Sequence, residues 1–243
     1  MATLKSAVRR SIAQIDFFYD VASPYSWLAF ETLLRYKSVW DAEINFKPFF
    51  LGGVMKETGN KPPATLKAKL LYMKDDLVRM AEYHGVPLKL IKDRSAMYNT
   101  LGAQRLLTAA SIDAPAELEV LTREMWKRLW GGGGDIASAQ GLREACTNAG
   151  LEPSLVEALM QASESQAVKD RLQHVTEVAL KRGAFGAPWI TLKTSCSEGE
   201  GAETTDERWH SFWGCDRFDV LARTLGQPWL GPHPSTSSLN AQL

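Results

Sequence analysis

The stretch FFYDVASPYSWLAF, residues 17–30, constrains the fold more than any other part of the chain. Ile15, Phe17 and Tyr19 alternate with Asp16, Phe18 and Asp20, the period-2 pattern of a β-strand. Ser23 then stands where a helix N-cap belongs. Pro24 follows at the first helical position, which its fixed φ and missing N–H suit. Trp27, Phe30 and Leu34, at i, i+3 and i+7, mark the buried face of that helix. A second strand is expected over 43–51 (EINFKPFFL). Strand, helix and strand facing one core make a βαβ unit with a parallel pair.

From about residue 62 to 183 the pattern turns almost wholly helical. One helix is expected over 63–84, closed by Gly85 in a left-handed backbone position. Others are expected near 100–110, 116–130, 139–149, 154–160 and 166–181. So long a block exceeds a crossover and reads as a helical domain inserted in a smaller α/β domain. Strands resume at 189–192, directly after Pro188, and at 208–214. The polar, acidic segment between them is expected to be a mobile loop. A last helix is expected over 215–225, capped by Gly226. The order β-α-β, helical insert, α-β-β-α is that of an α/β thioredoxin-like domain interrupted after its first half. The expected division is 14–58 with 184–232 as the thioredoxin-like domain, 59–183 as the inserted all-helical domain, and 233–243 as a flexible tail.

Charge and composition remove several function classes. Twenty-eight basic residues balance 28 acidic ones, so no surplus positive charge exists to neutralise phosphates and nucleic acid is not an expected partner. No apolar run approaches the roughly 18 residues of a membrane span. Cys146, Cys196 and Cys215 are odd in number and form no C-x-x-C pair, which argues for a reducing compartment and against a disulfide framework. His84, His174, His210 and His233 lie far apart with no zinc spacing, so no metal is expected. GGGGDIASAQ (131–140) lacks the G-K-[ST] ending of a phosphate loop and reads as a helix–helix connection. The first fourteen residues hold Lys5, Arg9 and Arg10 with no acid, which fits either a weak mitochondrial presequence or a frayed terminus ahead of the first strand. The final AQL is a weak match to the peroxisomal S-K-L.

Four short stretches carry candidate chemistry. SPYS (23–26) occupies the place where a redox protein carries Cys-x-x-Cys. A hydroxyl at that helix N-terminus can cap the helix or donate to an anion above it. GNKPP (59–63) is a glycine turn into a proline-started helix, with Asn60 and Lys61 placed to hold a carboxylate. GAFGAP (183–188) precedes a strand where a thioredoxin-like domain carries a cis-proline, which would leave the backbone of Ala187 free to pair with an extended peptide. GCDR (214–217) reads as a second helix start, with N–H groups suited to a carboxylate and Asp216 suited to an ammonium or to capping. Glutathione, with its thiol, extended backbone, γ-glutamyl group and glycine carboxylate, is complementary to the four together.

In order and spacing, FFYDVASPYSWLAFETLLRY, GNKPP, RGAFGAP and GCDR resemble the kappa class of glutathione transferases, over roughly residues 15–232. More distant likenesses are the 2-hydroxychromene-2-carboxylate isomerases and DsbA-like oxidoreductases. The resemblance implies a DsbA-like fold in which Ser23 bonds the glutathione sulfur and Pro24 and Tyr25 line the same wall. By the same resemblance Asn60 and Lys69 contact glutathione, Ala187 pairs with its cysteinyl part ahead of cis-Pro188, and Cys215, Asp216 and Arg217 hold the γ-glutamyl end. Serine is usual where Cys215 stands, so its thiol opens a mixed disulfide with glutathione. The resemblance further implies a homodimer, a mitochondrial or peroxisomal location, and a hydrophobic electrophile as second substrate. Ser23 cannot exchange disulfides, but it can stabilise a thiolate that arrives with the substrate. The expected activity is thus glutathione transfer to electrophiles or peroxides. A glutathione-dependent isomerase and a non-catalytic thioredoxin-like binding or chaperone module are the alternatives.

Overall fold

The computed structural model describes residues 13–91, 99–132, 134–196 and 206–234. The N-terminal basic segment, the acidic loop at 197–205 and the end of the tail lie outside the described residues. Four strands form one mixed sheet: β1 (Ala13–Tyr19), β2 (Ala42–Pro48), β3 (Trp189–Cys196) and β4 (Asp206–Trp213), in the order β2-β1-β3-β4. β1 pairs parallel with β2, Ile15 opposite Ile44 and Phe17 opposite Phe46. It pairs antiparallel with β3, and β3 antiparallel with β4. The β3–β4 ladder runs to Cys196 opposite Asp206, past the ends expected for both strands.

Alternation along β1 sends its side chains into two apolar layers. Ile15, Phe17 and Tyr19 pack in a large core with Trp27, Phe30 and Leu33 of α1 (Pro24–Tyr36). Phe18 points the other way, into a smaller cluster with Phe49, Trp189, Val54 of α2 (Leu51–Thr58) and Val175 of α8 (Gln166–Lys181). β1 is therefore buried on both faces.

Between α2 and α8 lie α3 (Lys67–His84), α4 (Leu101–Asp113), α5 (Leu118–Trp126) with a π-helical turn at Lys127–Gly131, α6 (Ala139–Asn148) and α7 (Pro153–Ser163). The large core continues from β1 and α1 into α4 through α7, so sheet and insertion share it. Three buried side chains of the insertion also reach carbonyls that frame the start of α1. Gln104 Nε2 donates to Tyr19 O at 2.8 Å and Phe49 O at 2.7 Å. Trp126 Nε1 donates to Ser23 O at 3.2 Å, and Trp130 Nε1 to Val21 O at 3.0 Å.

Several boundaries differ from expectation. β2 ends at Pro48, short of the expected residue 51, and α2 occupies the stretch between the expected strand and the GNKPP turn, for which no element was expected. Its N-cap, Phe50, has no capping side chain, but buried Asp20 accepts from Leu51 N at 2.9 Å. α3 begins only at Lys67, because Pro63–Thr65 is a separate 3-10 turn and Leu66 is extended. The segment after the last helix, α9 (Phe218–Leu225), is held through Pro232. Trp40 Nε1 donates to Pro228 O, Tyr36 OH to Gly231 O and Arg35 Nη1 to Pro232 O, while Trp229 stacks on Tyr36 and Phe218.

Candidate functional site

A cleft of about 600 Å³ opens between the C-terminal end of β1, the start of α1 and the inner side of α3. Ser23, Pro24, Tyr25, Asn60, Lys69, Ala187, Pro188, Cys215, Asp216 and Arg217 all lie on its wall. The four motifs, far apart in sequence, meet there.

Ser23 caps α1 with φ −93° and ψ 115°. Its Oγ accepts from Ser26 N at 3.1 Å and donates to Ala187 O at 3.1 Å. The helix-cap reading is therefore correct as geometry, and the same hydroxyl also holds a proton over the cleft. The Ala187–Pro188 bond is cis, as expected. The Ala187 carbonyl, expected to be free for a peptide, is instead taken by the Ser23 hydroxyl.

The GNKPP and GAFGAP loops are tied by one side chain. Asn60 Nδ2 donates to Phe185 O at 2.6 Å while its Oδ1 accepts from Lys61 N at 2.8 Å. Gly186, beside them, has no room for a side chain, since a Cβ would sit 2.9 Å from Trp213 Nε1.

GCDR leads into α9, which begins at Phe218, with Arg217 as the N-cap, but Asp216 does not cap it. Gly214 takes φ +99°, where glycine is favoured, and its N–H donates to Pro188 O at 3.2 Å. The Asp216 carboxylate instead accepts from Arg217 Nη1 at 2.6 Å, with both side chains more than half exposed.

Cys215 lines the cleft but is only 4% exposed. Burial first, and then the Asp216 charge, push its thiol up to about 12. A thiol so protonated has almost no thiolate at neutral pH, so the geometry speaks against the mixed disulfide. Cys146 is buried in the helical core, and its thiol is pushed up to about 11 by burial.

Sequence reasoning missed several wall residues. Asp20 is fully buried, accepts from Ala22 N and Leu51 N at 2.9 Å, and is raised by burial to about 6. Asp76 accepts from Tyr25 OH at 2.9 Å and Tyr72 OH at 3.1 Å. Met73, Met80 and Phe50 supply apolar wall. For Tyr72, Met73, Asp76 and Met80 the signal was the α3 stripe 69-72-73-76-80, which in one dimension looks like an ordinary core face. Among the described residues no group of His, Cys, Asp and Glu is arranged to hold a metal ion, and no helix is long and apolar enough to cross a membrane.

The site thus offers a hydroxyl at a helix N-terminus, a cis-proline loop and separated charges. Cys146 and Cys215 are both buried, and burial pushes both thiols up.

Comparison with known proteins agrees in fold and family. The DSBA-like thioredoxin domain model matches residues 14–226. Human glutathione S-transferase kappa 1 is 37% identical over 232 residues, spanning 94% of this chain and 97% of the human protein. A 2-hydroxychromene-2-carboxylate isomerase from Pseudomonas putida is 28% identical over 215 residues, spanning 88% of this chain and 94% of that protein. The solved structure of a 2-hydroxychromene-2-carboxylate isomerase matches with a TM-score of 0.66 and 24% identity, over 88% of this chain and 94% of that one, a likeness of fold. The chain belongs to the DSBA-like thioredoxin-domain family and, within it, to the kappa glutathione S-transferases.

Proposed function

We propose that the protein is a glutathione transferase in which Ser23 favours the glutathione thiolate for attack on an apolar electrophile or a peroxide. The observation that carries this reading is the convergence of SPYS, GNKPP, GAFGAP and GCDR on one cleft whose reactive position holds a hydroxyl. Membership of the kappa class supports it.

The ligand-free geometry suggests how the hydroxyl is delivered. Ser23 Oγ–H is bonded to Ala187 O, the acceptor that an extended cysteinyl backbone would claim. Binding of the tripeptide displaces the serine proton from that carbonyl and frees it to donate to the sulfur. The partial positive charge of the α1 N-terminus acts on the same anion. Asn60, Lys69, Asp216 and Arg217 all line the same cleft; in this reading Asn60 and Lys69 take the glycine carboxylate, and Asp216 and Arg217 the γ-glutamyl ammonium and carboxylate. The thiol proton leaves to solvent. The sulfur then bonds the electrophile and expels its leaving group, or takes the terminal oxygen of a hydroperoxide and releases an alcohol, after which a second glutathione converts the sulfenic acid to the disulfide and water.

An isomerase would share the sulfur site but return glutathione unchanged. Incubation with glutathione and an aryl halide, a hydroperoxide or a chromene carboxylate separates the two. Conjugate or oxidised glutathione is the expected product. Rearranged acid with full recovery of glutathione establishes the isomerase, and absence of glutathione binding by calorimetry leaves only a binding or chaperone module.

A further inference from the structure

The Ser23 hydroxyl has two tasks at once. Its oxygen accepts the cap bond from Ser26 N, and its proton has to turn from Ala187 O to the incoming sulfur. Only the proton moves, so the place of the oxygen is inherited from the Ser23 main chain. Two bonds hold that main chain from outside α1. Ser23 N donates to Asp20 O at 3.0 Å, within the turn itself. Ser23 O accepts from Trp126 Nε1 at 3.2 Å, across 103 residues. Among the described residues Trp126 is the one side chain that bonds the Ser23 main chain.

Trp126 is a fixed point. It is fully buried, with ring centroids 5.3 Å from Tyr19 and 5.1 Å from Phe30. Four residues to either side, Thr122 Oγ1 lies 2.8 Å from Tyr19 OH, and Trp130 Nε1 donates to Val21 O at 3.0 Å. Residues 122, 126 and 130 thus grip 19, 23 and 21 from one helical stripe. Four residues overshoot a 3.6-residue turn, so two such steps in a plain α-helix carry the third side chain about 80° round from the first. The wider turn at Lys127–Gly131 takes up that overshoot, and both indoles face the β1–α1 turn.

We propose that Trp126 is a positioning residue for sulfur activation, its indole N–H fixing the Ser23 carbonyl and, through it, the place of the Ser23 hydroxyl. This rests on the glutathione-transferase reading. A hydrogen bond weakens steeply as its angle departs from linear, and a group misplaced by about 1 Å can lose ~100-fold in rate. The loosening from one lost indole bond is smaller than that, and it falls on the sulfur bond rather than on the contacts that hold the tripeptide.

Trp126→Phe removes the donor and keeps an aromatic ring in the core. Ultraviolet titration of the glutathione complex should show the bound thiol's pKa raised by about half a unit to one unit. Turnover near pH 7 should fall about 3- to 10-fold, while the glutathione Kd changes by less than about twofold. Trp40→Phe controls for the loss of a buried indole bond, since Trp40 Nε1 donates to Pro228 O at 2.9 Å and Trp40 is not on the cleft wall. It should leave the bound thiol unchanged. In the Ser23→Ala background Trp126→Phe should raise the thiol pKa no further, because it acts through the hydroxyl. An unshifted thiol in a folded Trp126→Phe, an equal shift in Trp40→Phe, or an undiminished shift added to Ser23→Ala overturns the proposal. Should Trp126→Phe fail to fold, 3-benzothienylalanine at position 126, which keeps both rings and lacks only the N–H, is measured in its place. If the wild type itself binds no glutathione, the transferase reading falls, a result distinct from a bound, shifted thiol that ignores Trp126.

Discussion

Thr32 Oγ1 has one proton and donates it to Leu28 O at 2.9 Å, yet it also lies 2.9 Å from His84 Nδ1. The imidazole must therefore donate through Nδ1–H, which leaves Nε2 a bare lone pair, buried and with no partner among the described residues. Burial, with the charges of Arg35 and then His233, holds His84 down to about 4. Unfolded histidine titrates near ~6.5. As pH falls below that value the unfolded chain takes the proton first, so stability is lost until the folded value is passed. Asp20 acts with the opposite sign. Its folded value of about 6 lies above the ordinary 3.8, so its contribution is fully present below 3.8 and is lost as pH rises through 6. From pH 7 to pH 5 the two oppose each other. Urea midpoints should show Asp20→Asn losing more stability over that interval than wild type, and His84→Asn losing less. Parallel curves for all three proteins would mean that neither side chain carries its shift.

The elements most legible in the sequence were those specified by their own residues. α1 starts where Ser23 and Pro24 say it must and buries Trp27 and Phe30 as expected, with Leu33 rather than the half-buried Leu34 completing that face. α2 was not legible, because its first N–H is satisfied by Asp20, 31 residues away in sequence. The start of α9 misled for a related reason: Asp216 has the chemistry of a cap but turns to Arg217, on a backbone bent by Gly214. The four binding motifs were legible by resemblance, whereas Asp76 and its two phenols were not. Their pairing joins α1 to α3 across 51 residues. A glycine at the start of α6 gives a test at this scale. Gly141 N donates to Ser138 Oγ, and a Cβ on Gly141 would collide with the Asp135 carbonyl oxygen. Replacing glycine by alanine inside a helix ordinarily stabilises by about 1 kcal/mol. Gly141→Ala should instead destabilise by about 1–3 kcal/mol, the range for an overpacked site. A raised denaturation midpoint would show that the loop before α6 yields freely.

At the scale of the whole molecule, sheet and insertion are bound by one core and by Gln104, Trp126 and Trp130, which hold the carbonyls around the start of α1. The helical insertion thus does more than cover the cleft, since it fixes the backbone from which Ser23 projects. On the face turned away from the cleft, α3 leaves Leu71 and Val78 exposed, two turns apart. Together with the kappa-class resemblance this motivates a homodimer as a proposal. Light scattering at micromolar concentration should give about twice the 27.0 kDa of the chain. A stable monomer would contradict it.

The central claim is that the cleft favours a thiolate it does not itself supply. Ultraviolet absorbance of the glutathione complex, titrated with pH for wild type and Ser23→Ala, tests it most directly. A free thiol titrates near ~8.5. A hydrogen bond to a charged group contributes about 1.5–3 kcal/mol, or roughly one to two pKa units. The bound thiol should therefore titrate below the free one in wild type and about one to two units higher in Ser23→Ala. Turnover near pH 7 should fall ~10- to 100-fold with it, while the fold survives the loss of a cap that contributes about 1 kcal/mol. Coincident titration curves with equal turnover would reduce Ser23 to the cap of α1 and assign the sulfur's activation to another group.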